Sequence, residues 1–207
     1  MDILAATNND NKLREIRAVM ADACRIVSLR QAGIESDPEE TGETFEENAR
    51  IKARSGMRLS GMPCIADDSG LQVFALGGEP GIRSARYAGG HGDDEANNRL
   101  LLQNLRGAAD RSARYVCVIC LALPDGREFI SQGTCEGSIL LEPVGRSGFG
   151  YDPLFLCPEY GKSYAQITPE EKNRISHRAK ALQGIKEIID ELGLRQARGF
   201  DGKGGGI

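Results

Sequence analysis

Two adjacent carboxylates, Asp67 and Asp68, stand where this chain would otherwise bury an unbroken extended stretch. Pro63-Cys64-Ile65-Ala66 reads as a buried strand, Asp67-Asp68-Ser69-Gly70 interrupts it, and Leu71 to Leu76 resumes an extended pattern. Paired carboxylates at a strand end are costly to bury unless cations or hydrogen-bond donors compensate them. A solvated turn is one solution; a charged centre between two buried strands is the other. Upstream, Glu39 and Glu40 precede Thr41-Gly42 and add oxygens of the kind Mg²⁺ prefers. Such a set leaves coordination positions for water and phosphate oxygens.

The segments around this stretch alternate strand and helix. Residues 2–6 are a short apolar run that stops at Thr7-Asn8-Asn9-Asp10-Asn11. A helix is predicted from Lys12 to about Met20, with Leu13, Ile16 and Met20 on one face. Thr44-Phe45-Glu46-Glu47 matches a capping box, and Phe45, Ala49, Ala53 and Gly56 follow at helical spacing until Gly61. Asp93 or Asp94 caps a third helix that runs through Arg106. Residues 113–123 and 127–135 are predicted as a hairpin through Pro124-Asp125-Gly126, with a further strand near 137–142.

Thr168-Pro169-Glu170-Glu171 opens the last helical region with a capping threonine, proline at the first helical position and glutamate three residues after the cap. Ile175, Ala179, Leu182, Ile185, Ile189 and Leu192 give it an apolar stripe, and Gly193 ends it. On one unbroken helix Lys172 and His177 would lie roughly 140° apart. A break and restart at Ser176, a good N-cap, is therefore expected. The alternation predicts an α/β fold. With 207 residues and 40% hydrophobic content, the chain fits a single domain over 1–195. The Gly-rich tail, 196–207, is expected to be disordered.

A net charge of −4, from 26 basic and 30 acidic residues, argues against a broad nucleic-acid surface. Anionic nucleotides can still bind where local lysines and a metal ion reverse the field. No basic segment followed by a long apolar stretch opens the chain, and no apolar run reaches the roughly 18 residues of a membrane span. Six cysteines are scattered, and Cys117 and Cys120 point to opposite faces of a predicted strand. They read as buried free thiols rather than a metal pair, in a cytoplasmic, reducing setting.

Several short segments could handle a phosphate or a base. Thr7 to Lys12 lies where a strand hands over to a helix, and helix N–H groups together with Lys12 attract phosphate. The glycines of a Walker loop are missing. Asn48 and Lys52 share one helix face. Gly148-Phe149-Gly150-Tyr151-Asp152-Pro153 suits either a stacked nucleobase or a turn with core aromatics. Lys172, His177 and Arg178 add cations at the final helix.

Six blocks in order resemble the inosine triphosphate pyrophosphatase family. They are Thr7-x-Asn9-x-x-Lys12, Thr44-Phe45-x-Glu47-Asn48-Ala49-x-x-Lys52-Ala53 and Ala66-Asp67-Asp68-Ser69-Gly70-Leu71, followed by Leu76-Gly77-Gly78-x-Pro80-Gly81-Ile82-x-Ser84-Ala85-Arg86-Tyr87, Gly148 to Pro153 and Glu171-Lys172-Asn173-x-x-Ser176-His177-Arg178. The resemblance runs from residue 2 to about 192. Asn8 is a departure, standing where many relatives have glycine.

The resemblance implies an elongated mixed, twisted sheet flanked by helices, with two lobes around a central nucleotide cleft. It also implies a homodimer that converts ITP, dITP, XTP and dXTP to monophosphate and pyrophosphate with Mg²⁺. Thr7, Asn8, Asn9, Asp10, Asn11 and Lys12 would hold the phosphates, with Lys52 offsetting charge on the leaving group. Asp68 would be the catalytic carboxylate and a metal ligand, and Glu40 a second ligand, directly or through water. Ser69 would touch substrate, and Asp67 would support the centre. Phe149, Gly150, Tyr151 and Asp152 would line the base and sugar pocket, with Lys172, His177 and Arg178 reading the base. Two alternatives stand beside this: a pyrophosphatase for pyrimidine or methylated nucleotides, and a nucleotide sensor without turnover.

Overall fold

A computed structural model describes residues 1–90 and 92–194, and the predicted tail lies outside the described residues. Its centre is one seven-stranded mixed sheet. The strands are β1 (Asp2–Ala5), β2 (Arg25–Ser28), β3 (Cys64–Val73), β4 (Ser112–Ala122), β5 (Glu128–Ile139), β6 (Phe155–Cys157) and β7 (Lys162–Ser163). They lie in the order β2-β1-β3-β4-β5-β6-β7, with β1 parallel to both β2 and β3 and every later pairing antiparallel.

The helices are α1 (Asp10–Met20), α2 (Leu29–Ala32), α3 (Phe45–Ser60), α4 (Asp94–Asn104), α5 (Pro169–Ile175) and α6 (His177–Glu191). Their boundaries follow local chemistry. Asn9 caps α1 by accepting from the backbone N–H groups of Asn11 and Lys12, so the helix begins two residues before the predicted Lys12. Thr44 and Glu47 form the predicted capping box of α3, and Gly61 closes that helix at φ +68°. Ser176 ends α5 and caps α6, which is the expected break. Asp93 caps α4, which stops at Asn104 rather than Arg106.

Two strand expectations are corrected. The Asp67–Gly70 segment does not interrupt a strand: β3 is continuous and pairs with β4 from Cys64↔Ala122 to Val73↔Ala113. Cations on both faces compensate the carboxylates, so the backbone has no need to leave the ladder. Extension ends at Val73, where Phe74–Leu76 turns as a 3₁₀ segment closed by Gly77. There is also no separate strand over 137–142, because β5 runs on to Ile139 and meets β6 at Ser138↔Leu156 and Ile139↔Phe155. The short β2, α2, β6 and β7 escaped the sequence reading, being too brief to show a period.

Strand alternation divides the core. Ile3, Ala5, Ile65, Cys117, Ile119 and Leu121 face α1 and α6, whereas Leu4, Ala6, Cys64, Ala66, Val118 and Cys120 face α3. Cys117 and Cys120 therefore do lie on opposite faces as buried free thiols. A third cluster, from Leu71 and Val73 through Tyr115 and Phe155 to Tyr164, forms the far end of the sheet.

This topology fixes where a ligand can lie. From β1 the chain passes through α1 to β2 on one side, and later through α3 to β3 on the other. The two helices cover opposite faces, so the carboxyl end of β1 is a switch point of the kind that leaves a crevice. β1 stops at Ala5, opposite Ile65, and β3 continues past it. Ala66 comes next along β3, and Asp67 and Asp68 follow it at that opening.

Candidate active site

The aspartates part company at the crevice. Asp67 shares the sheet face of Ile65, where Arg178 Nη2 donates to its Oδ2 at 3.0 Å and Lys12 Nζ lies 3.3 Å from Oδ1. Burial opposes ionisation of Asp67, but Lys12, Arg178 and Lys52 outweigh it and hold the carboxyl well below the usual carboxylate range. Asp68 shares the face of Ala66, where Lys52 Nζ donates to Oδ1 at 2.8 Å and Asn48 Nδ2 to Oδ2 at 3.4 Å. Here burial prevails over Lys52 and Lys12 and lifts Asp68 above its ordinary value.

Helix α3 delivers Lys52 and Asn48 because they lie one turn apart on the face toward the sheet. Lys52 Nζ also donates to Glu40 Oε1 at 2.8 Å, and Arg86 Nη1 donates to Glu40 Oε2 at 3.2 Å. Burial would discharge Lys52, but Asp68, Asp67 and Glu40 raise its pKa and keep it cationic. Glu40 is lowered by Lys52 and Arg86 against its own burial. Asp68 and Glu40 thus both reach one ammonium. That donor set fits a hard divalent cation, since two carboxylates plus water and phosphate oxygens suffice for Mg²⁺. Among the described residues no group of three His, Cys, Asp or Glu side chains forms a protein-only metal cage.

The turn before α1 presents the backbone toward the same opening. Thr7 Oγ1 accepts from Asn9 N at 3.1 Å, and Asn9 Oδ1 accepts from Asn11 N and Lys12 N at 2.9 and 3.1 Å. No described non-glycine residue has positive φ, so Asn8 holds its place without the glycine conformation; its amide donates to Ser36 O at 3.1 Å. Asn8, Asn9 and Asp10 are exposed.

On the other side of Asp67 lies a second charged group. Arg178 is 2% exposed and donates to Asp67, to Ser69 Oγ at 2.9 Å, and to Glu15. Lys172 Nζ donates to Asp152 Oδ2 at 2.6 Å and lies 3.1 Å from Glu15 Oε1. Burial raises Asp152 despite Lys172, and the N–H of Phe149 also donates to its Oδ2 at 3.0 Å. Phe149 covers both cations: Lys172 Nζ is 4.8 Å and Arg178 Cζ 5.9 Å from its ring centroid. His177 is buried and stacks on Tyr115, centroids 4.5 Å apart and 7° from parallel. Burial first, then Arg178 and Lys172, push its pKa well below the ordinary histidine value, so it is neutral. Its Nδ1 has no hydrogen-bond partner among the described residues.

Tyr151 is buried, and its hydroxyl donates to Ser84 O at 2.9 Å, so it braces the Gly81–Arg86 turn. Gly150 is gripped by α4: its N–H donates to Asp94 and its carbonyl accepts from Asn98 Nδ2 at 3.0 Å.

Two residues in this network were given no role from the sequence. Glu15 follows Lys12 by three positions on α1 and so shares its face, a signal the helical spacing already carried. Arg86 sits in a block quoted for resemblance alone.

Residues 3–188 match the Ham1 family model. A dITP/XTP pyrophosphatase of Desulfotalea psychrophila is 49% identical over 191 residues, covering 92% of this chain and 86% of the relative. One from Corynebacterium glutamicum is 45% identical over 202 residues, covering 93% and 98% respectively. The structure of the Staphylococcus aureus Ham1 protein aligns with a TM-score of 0.83 at 41% identity, covering 93% of this chain and 100% of that one.

Proposed function

This chain belongs to the Ham1 family, and from that premise we propose that it hydrolyses ITP, dITP, XTP and dXTP to the nucleoside monophosphate and pyrophosphate. The observation that carries this reading is the charged network on the two faces of β3. At one end Asp68, Lys52 and Glu40 gather metal-binding and phosphate-binding groups. At the other, Lys172 and Arg178 lie against the Phe149 ring, with Asp152 accepting from Lys172, where a base can stack and be read.

In this reaction the oxygen of water bonds to the α-phosphorus and the bridge from that phosphorus to the β-phosphate oxygen breaks. Asp68 orients the attacking water. Lys12 and Lys52 stabilise the charge that builds on the departing pyrophosphate, and the N–H groups at the start of α1 hold phosphate oxygens. Mg²⁺ is part of the proposal: Asp68 and Glu40 would hold it, and it would supply charge to polarise phosphate oxygens and favour ionisation of water.

Discrimination against adenine follows from donor placement. A 6-oxo purine offers an acceptor to the Arg178 guanidinium, whereas the 6-amino group of adenine faces it donor to donor, at a cost of roughly 1–3 kcal/mol. The proposal includes a homodimer, which sedimentation of the purified chain would test.

A steady-state panel of ITP, XTP, ATP, dTTP and UTP, with pyrophosphate and orthophosphate measured separately, tests the assignment. Pyrophosphate from ITP and XTP is the expected product. Orthophosphate release, a preference for dTTP or UTP, or tight binding without turnover would each overturn it.

A further inference from the structure

We propose that Arg86 binds the pyrophosphate half of the substrate, as a third cation beside Lys12 and Lys52; the identity of that ligand rests on the pyrophosphatase reading above. Arg86 ends the 3₁₀ turn Gly81–Arg86, which packs on the same face of β3 as α3, and reaches the Asp68–Lys52–Glu40 group through Glu40. Its side chain is 35% exposed, and Glu40 is its one ion-pair partner among the described residues. A guanidinium has five donors in a planar fork, so a single bond at 3.2 Å leaves most of them free for phosphate oxygens.

The backbone beneath Arg86 is held in place by several independent contacts. A Cβ built on Gly70 would lie 2.3 Å from Gly81 O and 2.5 Å from Ser84 Oγ, so the turn lies directly on β3. Ser84 Oγ accepts from Leu71 N at 2.9 Å and donates to Gly81 O at 2.6 Å. The Tyr151 hydroxyl reaches Ser84 O, and Asn97 accepts from Ala88 N at 2.8 Å and donates to Ala85 O at 3.4 Å. A rigid base under a half-free cation is the arrangement that positions charge without reorganisation at the moment of reaction. Arg83, in the same turn, shows the contrast: it points outward and pairs with Glu79 at 2.6 Å.

The charge arrangement explains why Arg86 rests on Glu40. Lys52 pairs with both Glu40 and Asp68, and Arg86 pairs with Glu40. Were another cation to engage these carboxylates, both basic side chains would be released to bind phosphate oxygens.

The test is calorimetric titration of the full chain with magnesium pyrophosphate and, separately, with IMP, for the wild type, Arg86→Gln, Arg86→Lys and Arg83→Gln. Arg86→Gln is expected to weaken pyrophosphate by roughly tenfold or more while IMP changes by less than about twofold, because a lost charge-assisted phosphate contact acts only on that half. Arg86→Lys falls between, and Arg83→Gln matches the wild type. Thermal melts confirm that each variant is folded. Pyrophosphate binding by Arg86→Gln within about twofold of wild type overturns the proposal, as does an equal loss for IMP, which would make Arg86 a prop for the whole site. Should the wild type release no pyrophosphate from ITP, the functional reading fails instead; the titrations still decide the role of Arg86.

Discussion

Asp67 and Asp68, neighbours on β3, turn to opposite faces of the sheet: Asp67 meets Arg178 at 3.0 Å beneath α6, and Asp68 meets Lys52 at 2.8 Å beneath α3. The two carboxylates therefore belong to different charged groups, and each can be removed with a distinct consequence.

Replacing Asp68 with asparagine removes the carboxylate that faces Lys52 and Glu40 while keeping its shape. Turnover of ITP is expected to fall by ~10²–10³ or more, since the proposed mechanism has this carboxylate act in the transition state. The melting temperature should stay within a few degrees, because burial already disfavours the charged form of Asp68. Near-wild-type pyrophosphate release would take Asp68 out of the chemistry.

Asp67 and Arg178 are 2% exposed each, so breaking their pair leaves a buried charge without its partner. Asp67→Asn or Arg178→Met alone should each destabilise by about 3–5 kcal/mol, and the double variant by clearly less than the sum. Urea denaturation of the four proteins measures this. Strict additivity would mean that Lys12 and Glu15 carry the compensation instead.

At Gly70 the Gly81–Arg86 turn lies directly on β3. Gly70→Ala should cost about 2–4 kcal/mol or push the turn outward, because the obstacle at 2.3 Å is a backbone oxygen and not a flexible side-chain end. The chain should remain folded but lose catalytic efficiency in kcat/KM, as Arg86 and Ser84 shift with the turn. Unchanged stability together with unchanged kcat/KM would contradict that packing.

Acid stability has a component at the middle of α3. Glu128 accepts from Arg54 Nη2 at 2.9 Å and also pairs with Arg50. Arg54 above all, and Arg50, hold its pKa below the ordinary value of 4.5 despite some burial. A depressed carboxylate contributes stability that is fully present above about pH 4.5 and fades as pH falls through its folded value. Compared with Glu128→Gln, the wild type should be more stable by about 1 kcal/mol at pH 7, a modest amount because Arg54 is 45% exposed and solvent screens the pair. The two melting curves should converge as pH falls below the ordinary carboxylate range; a gap independent of pH would assign the effect to packing.

Much of the helical framework was legible in the sequence because caps act over three or four residues. The Thr44–Glu47 box, Gly61, Thr168 and the break at Ser176 all signal themselves locally, and all mark boundaries in the fold. The continuity of β3 was not legible, since two adjacent aspartates read as a turn until their cations are known. Those cations come from far along the chain: Arg178 reaches Asp67 across 111 positions, and Lys52 reaches Asp68 across 16.

The sequence by itself determined which residue types were present for the chemistry, and the order of six blocks determined the family. Tertiary structure alone decided the pairing. A strand period of two sends Asp67 and Asp68 to different faces, and the packing of α3 and α6 on those faces then decides which cation each one meets. The same packing brings in Glu15 beneath Lys172 and Arg178, and lays the Gly81–Arg86 turn on Gly70 so that Arg86 meets Glu40 across 46 positions. Contacts of that length depend on how whole elements stack, and no local pattern encodes them.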